Sequence, residues 1–184
     1  MGEKDPAIEM PALRMFRLMY KTFEEDVLAC FRYIEPTREN VERREDMSEV
    51  YSIGLYRLHI GICTAIDSLL HLWYVKKRGQ EETTVEDYYP LFSEPDMDIK
   101  VNKELKLHRN PEILIRPLSE WTEKKRPSWW TDHNITKHNL DQFTFPKGNL
   151  GNVIYSLGAF YLLLNDKGTR GTNPTPTQVF VACF

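Results

Sequence analysis

Apolar positions recur at three- and four-residue steps in three long stretches of this chain. Over residues 12–34 they are Phe16, Tyr20, Phe23, Val27, Cys30, Phe31 and Ile34, the stripe of a long amphipathic helix. Glu35-Pro36 should stop it, because the residue before a proline disfavours helical backbone. The second stretch starts at a Ser48 cap, runs to about Lys77, and aligns Tyr51, Leu55, Leu58, Ile62, Ala65, Ile66, Leu69 and Trp73. Gly54 and Gly61 share one side of it and would admit a neighbouring backbone. Lys76, Lys77 and Arg78 suit the negative end of the helix dipole, and Gly79 ends it. The strongest pattern is Leu150, Val153, Ile154, Leu157, Phe160, Tyr161 and Leu164, a last helix capped by Asn149 and reaching about Asn165.

A fourth helix has a different character. Residues 127–142 read PSWWTDHNITKHNLDQ, with Ser128 as a cap and Asp132 in the first turn, where a carboxylate suits the dipole. On a 3.6-residue repeat Trp130, Asn134, Lys137, His138 and Asp141 share one face. Residues 85–89 suggest one short helical turn, and residues 119–125 a short helical segment carrying Trp121. Alternation at Ile99-Lys100-Val101 and at Ile113-Leu114-Ile115, separated by turn chemistry, predicts a hairpin of residues 98–107 against 112–118. Residues 168–178 are rich in Gly, Pro and Thr and read as flexible. The apolar, β-prone residues 179–184 either dock on the hairpin edge or stay loose. The fold expected is all-α, a four-to-five-helix bundle with a small β-hairpin insertion. Residues 1–166 would form a single helical domain and residues 167–184 a flexible C-terminal tail.

Composition narrows the function classes. The 184 residues fit one domain, and 41 % hydrophobic with 28 % charged residues is ordinary for a globular chain. A formal charge of −3 gives no broad basic footprint, so a long non-specific nucleic-acid interface is not expected. Cys30, Cys63 and Cys183 lie far apart, without metal-ligand spacing, so a disulfide framework is not expected, and Cys30 and Cys63 fit small buried residues. No signal-peptide core and no apolar run near the ~18 residues of a membrane span are visible, so no membrane partner is expected and the compartment expected is the cytoplasm. No metal and no cofactor are expected: His133 and His138 lack the helical pair spacing, and no second cluster accompanies them.

Two helices carry candidate chemistry. In the second, Thr64, Asp67 and His71 interrupt an apolar stretch along one line. An Asp one turn from a His can fix the imidazole tautomer, or the two can be an ordinary polar pair. In the fourth, Asn134 and His138 are one turn apart with Lys137 adjoining. An imidazole beside a cation and an amide suits acid–base work on a phosphodiester. The same residues could instead hydrogen-bond neighbouring elements and fix the packing. Trp130 could stack a base or plug the core, and Lys124, Lys125 and Arg126 could contact phosphate or form a solvated rim.

The pattern YSIGLYRLHIGICTAIDSLL, then a hairpin region, then PSWWTDHNITKHN and a leucine-rich last helix, resembles uncharacterised prokaryotic HEPN-like all-α proteins over residues 15–165. The resemblance implies a helical bundle, a homodimer and metal-independent RNA cleavage or RNA binding in a toxin or phage-defence setting. The superfamily motif is Arg, four to six residues, then His. Arg126 to His133 has six intervening residues, with Pro127 holding Arg126 outside the helix, and Asn134 to His138 resembles a variant with Asn in the Arg place. On this resemblance His138, Lys137, Asn134 and Asp67 would be catalytic, and Lys124, Arg126, Trp130 and His71 would bind substrate. The alternative is a non-catalytic helical interaction module whose polar helix is architectural.

Overall fold

A helix that is apolar on every side must be surrounded, and that requirement sets the architecture. A computed structural model describes residues 10–42, 50–79, 88–92, 101–122, 125–138, 145–165 and 177–182. In chain order the elements are α1 (Met10–Cys30), α2 (Arg38–Glu42), α3 (Ile53–Arg78), α4 (Tyr89–Phe92), β1 (Leu105–Leu107), β2 (Leu114–Ile115), α5 (Ser128–His138), a 3-10 turn (Phe145–Lys147), α6 (Leu150–Leu164) and β3 (Phe180–Ala182). The all-α bundle with a small β insertion is the fold observed. Helix α6 is its axis: every residue but Tyr161 is buried, and α1, α2, α3 and α5 pack against it. The hairpin rests on α6 at Gly158, where an added Cβ would stand 3.0 Å from Ile115 and 3.2 Å from Leu105.

Caps explain where the long helices stop. Asn149 caps α6 as expected, its side chain accepting from Asn152 N at 2.9 Å. Gly79 ends α3 in the left-handed region at φ 68°, which glycine adopts without Cβ strain. The N-cap of α3 is Ser52, not Ser48, which lies outside the described residues. Residues 50 and 51 are drawn away from the helix: Tyr51 bridges to Asn149, and Leu150 N donates to Val50 O at 3.1 Å. Helix α1 ends at Cys30, short of Glu35, because Phe31 O accepts from the Arg109 guanidinium and the chain tightens into three-residue turns. Gly61 receives the Phe23 side chain (3.1 Å from an ideal Cβ), not a backbone, and Gly54 is exposed.

The hairpin is shorter than its alternation suggested. Val101 is in a helical turn, and residues 119–121 form successive turns instead of a helix. Residues 98–100 of the expected first strand and residues 85–87 of the expected helical turn lie outside the described residues. The final segment docks on the free edge of β1, giving an antiparallel sheet of order β2-β1-β3, with Lys106 paired to Leu114 on one side and Val181 on the other. Of the two placements open for residues 179–184, docking on the hairpin edge is the one observed as far as Ala182; residues 167–176 of the expected tail lie outside the described ones. Helix α3 is long and apolar enough to cross a membrane by length and composition, although Asp67 and His71 interrupt it, and its apolar face is in the core.

One buried carboxylate holds β3 in place. Glu24, 6 % exposed on α1, accepts from Tyr20 OH at 3.2 Å, Gln178 N at 2.7 Å and Val179 N at 3.3 Å, and from the Thr177 hydroxyl. Burial and this carboxylate push the Tyr20 phenol far above its ordinary pKa. Replacing Glu24 with Ala leaves the Thr177 hydroxyl and Gln178 N without their acceptor, while Tyr20 OH and Val179 N keep Thr177 Oγ1 at 2.8 and 3.2 Å. The expected result is a local loss of about 2–3 kcal/mol, read as hydrogen exchange roughly 30- to 150-fold faster than in the parent at the amides of residues 179–182.

Candidate functional site

Helix α5 is pinned at both ends. At its start the carboxylate of Glu120 accepts from Ser128 N at 2.9 Å, so this side chain satisfies a first-turn amide. Trp129 is fully buried, and its indole donates to Pro117 O at 2.8 Å. Trp121, Trp129 and Trp130 pack edge to face and tilted, with centroids 5.4–6.3 Å apart. The tryptophan pair is thus a core plug, and Trp130, 2 % exposed, is not placed to stack a base.

The buried face of α5 is polar. Asp132 is buried and takes the Lys147 ammonium on Oδ1 and Asn152 Nδ2 on Oδ2 at 2.9 Å. Asn152 also donates to Lys147 O at 2.9 Å, which ties α5, the 3-10 turn and α6 together. Thr136 bonds back to Asp132 O at 2.8 Å, and Tyr56 OH reaches Thr136 O at 3.4 Å. Gly148 makes the close approach: a Cβ there would lie 2.7 Å from Tyr56 Cα. His59 and His133, both buried, meet with ring centroids 6.2 Å apart. Burial, with repulsion from His133, pushes His59 down to about 3. Burial and Lys137 push His133 down to about 4, with Asn134 partly offsetting them.

This geometry rearranges the expected site. Lys137 and His138 are exposed and Asn134 is half-buried, all near the C-terminal end of α5. Asp67 and His71 are not their opposite wall. His59 meets Trp129 at the start of α5 and Tyr56 meets Thr136 near its end, so α5 runs toward the N-terminus of α3. Asp67 lies eight residues beyond His59 in the other direction, about 12 Å along the helix. Half-buried Arg126 precedes the start of α5, separated from His138 by roughly 15 Å of helix. Lys124 and Asp141 lie outside the described residues. Lys125 is exposed and paired with Glu120 at 3.7 Å, as a rim residue. The structure brings together instead Asp132, Lys147 and Asn152, and beside them His59, Trp130 and His133. Among the described residues no group of three His, Cys, Asp or Glu could hold a metal. Compared with protein-family models, characterised proteins and solved structures, the chain has no significant match.

Proposed function

We propose that this chain is a HEPN-like helical domain that binds or cleaves RNA, with the solvent-facing end of α5 as its working surface. The observation that carries this reading is the division of α5 into two sides. Its Trp129, Asp132, His133 and Thr136 side is spent on docking, which leaves Lys137 and His138 accessible and Asn134 half-buried beneath them. An accessible imidazole can move a proton while an adjacent ammonium stabilises phosphate charge. Phosphodiester cleavage needs one group to take a proton and another to give one. A homodimer with two α5 ends in register would supply both, and neither Asp67 nor His71 has a part in it.

A second reading is favoured by the buried polar contacts of Asp132 and Thr136: α5 is architectural and the chain a non-catalytic interaction module. Incubation with total RNA in the presence of a chelator separates the two. Under the first reading the parent protein cuts or retains RNA, and His138→Ala lowers cleavage at least 100-fold. Because His138 is exposed, its melting temperature stays within the equivalent of about 0.5 kcal/mol under either reading. A parent with neither RNA binding nor cleavage supports the module. Cleavage untouched by His138→Ala removes the assigned site.

A further inference from the structure

The junction of α3 and α5 buries more polar nitrogen than the described chain satisfies. His59 Nε2 lies 3.1 Å from Trp129 O, and a carbonyl only accepts, so Nε2 carries the proton. The ring is neutral at ordinary pH, because burial holds its pKa at about 3. Nδ1 is therefore a bare lone pair, and it has no hydrogen-bond partner among the described residues. The indole N–H of Trp130 is in the same position, and so are both ring nitrogens of His133, which the Asn134 amide approaches without a well-formed hydrogen bond. These three side chains are contiguous: His133 lies 6.2 Å from His59 and 5.7 Å from Trp130, centroid to centroid. All three are more than nine-tenths buried. A buried donor or acceptor left unmade costs about 1–3 kcal/mol, so a cluster of them calls for a partner.

The two imidazoles cannot serve one another. Two imidazoles joined directly by a hydrogen bond of about 2.9 Å hold their centroids within roughly 5.2 Å. The observed 6.2 Å exceeds that reach and suits a single bridging atom.

We infer that this junction is a binding site for an internal water molecule, held by His59 Nδ1, His133 and the Trp130 indole N–H. The donor set selects that ligand. His59 offers only an acceptor, Trp130 only a donor, and a neutral His133 one of each. Water, which both donates and accepts, completes all three at once. An anion would meet the His59 lone pair. A metal ion would find two imidazoles and, among the described residues, no third ligand.

Nuclear magnetic resonance on the isotope-labelled full chain tests this without RNA, so its failure is distinguishable from failure of the RNA reading. The expected result is a long-lived dipolar contact between the Trp130 indole proton and water, with His59 protonated on Nε2 alone. In His59→Phe that indole proton should exchange with solvent at least tenfold faster. If that variant does not fold, the parent spectra decide alone. An indole proton with no resident water, a proton on His59 Nδ1, or a chelator-sensitive metal in the native mass spectrum would overturn the assignment.

Discussion

Lowering the pH from about 7 to 5 is expected to remove on the order of 4 kcal/mol of stability through His59 and His133. The unfolded chain protonates both rings as the pH falls through about 6.5. The folded chain does so only near 4 for His133 and near 3 for His59. Between those limits the unfolded state holds more protons, so stability falls as the pH falls, by about 1.4 kcal/mol per unit for each ring, and the loss levels off below the folded values. The groups facing these rings reinforce the effect. A charge on His59 stands against His133, and one on His133 stands against Lys137 and His138. Melting curves between pH 7.5 and 4.5 should show a drop of roughly 10 °C, and His59→Phe should flatten the acid limb by about half. A melting temperature constant over that range would show that the rings are not buried neutral.

Replacing Trp129 with Ala should cost about 3–5 kcal/mol. The side chain is fully buried, its indole hydrogen-bonds Pro117, and its ring packs against Trp121 and Trp130. Truncation opens a cavity at the root of α5 and leaves Pro117 O unpaired. Trp129→Phe should cost less, because most of the apolar contact survives and the indole bond is the main loss. Urea denaturation should show a lower midpoint with unchanged m for both variants, the larger shift for Ala. Under the RNA reading, Trp129→Ala should also weaken RNA cleavage, because the Asn134, Lys137 and His138 surface is positioned through this anchor. A shift equivalent to less than about 1 kcal/mol would remove Trp129 from the core of the fold.

The long helices were legible because their apolar periodicity is a direct imprint of burial. Leu150 to Leu164 with the Asn149 cap, and Gly79 at the end of α3, were read at the residues where they stand. The start of α3 was not legible, because it depends on a bridge from Tyr51 to Asn149, far along the chain. The expected face of α5 is split by burial, Trp130 in the core and Lys137 and His138 in solvent, and the buried network lies on its other side. The residues seen as one face, Trp130, Asn134, Lys137 and His138, go from the core to open solvent. Periodicity places residues on faces but does not say which face a polar helix buries. The signals that would have found the buried network were small. His59 follows Leu55 by one turn and precedes Cys63 by one turn, on an apolar stripe, and Asn152 is a lone amide in an otherwise apolar first turn. Each is a polar side chain where the pattern wants an apolar one. Lys147, which meets Asp132 from outside the helix, had no such signal.

The Glu24 clasp bears on the order in which this protein can form. The carboxylate belongs to the first helix, and three of its donors come from residues 177–179, more than 150 residues later. The central strand of the sheet likewise waits for Phe180. Closing a loop of that length is entropically slow but only modestly more costly than closing a shorter one. During synthesis α1 can therefore emerge early and still lack its buried partners until the 177–182 stretch has left the ribosome. Over that interval Glu24 keeps water around it, and among the described elements β3 is the one whose arrival buries this end of α1.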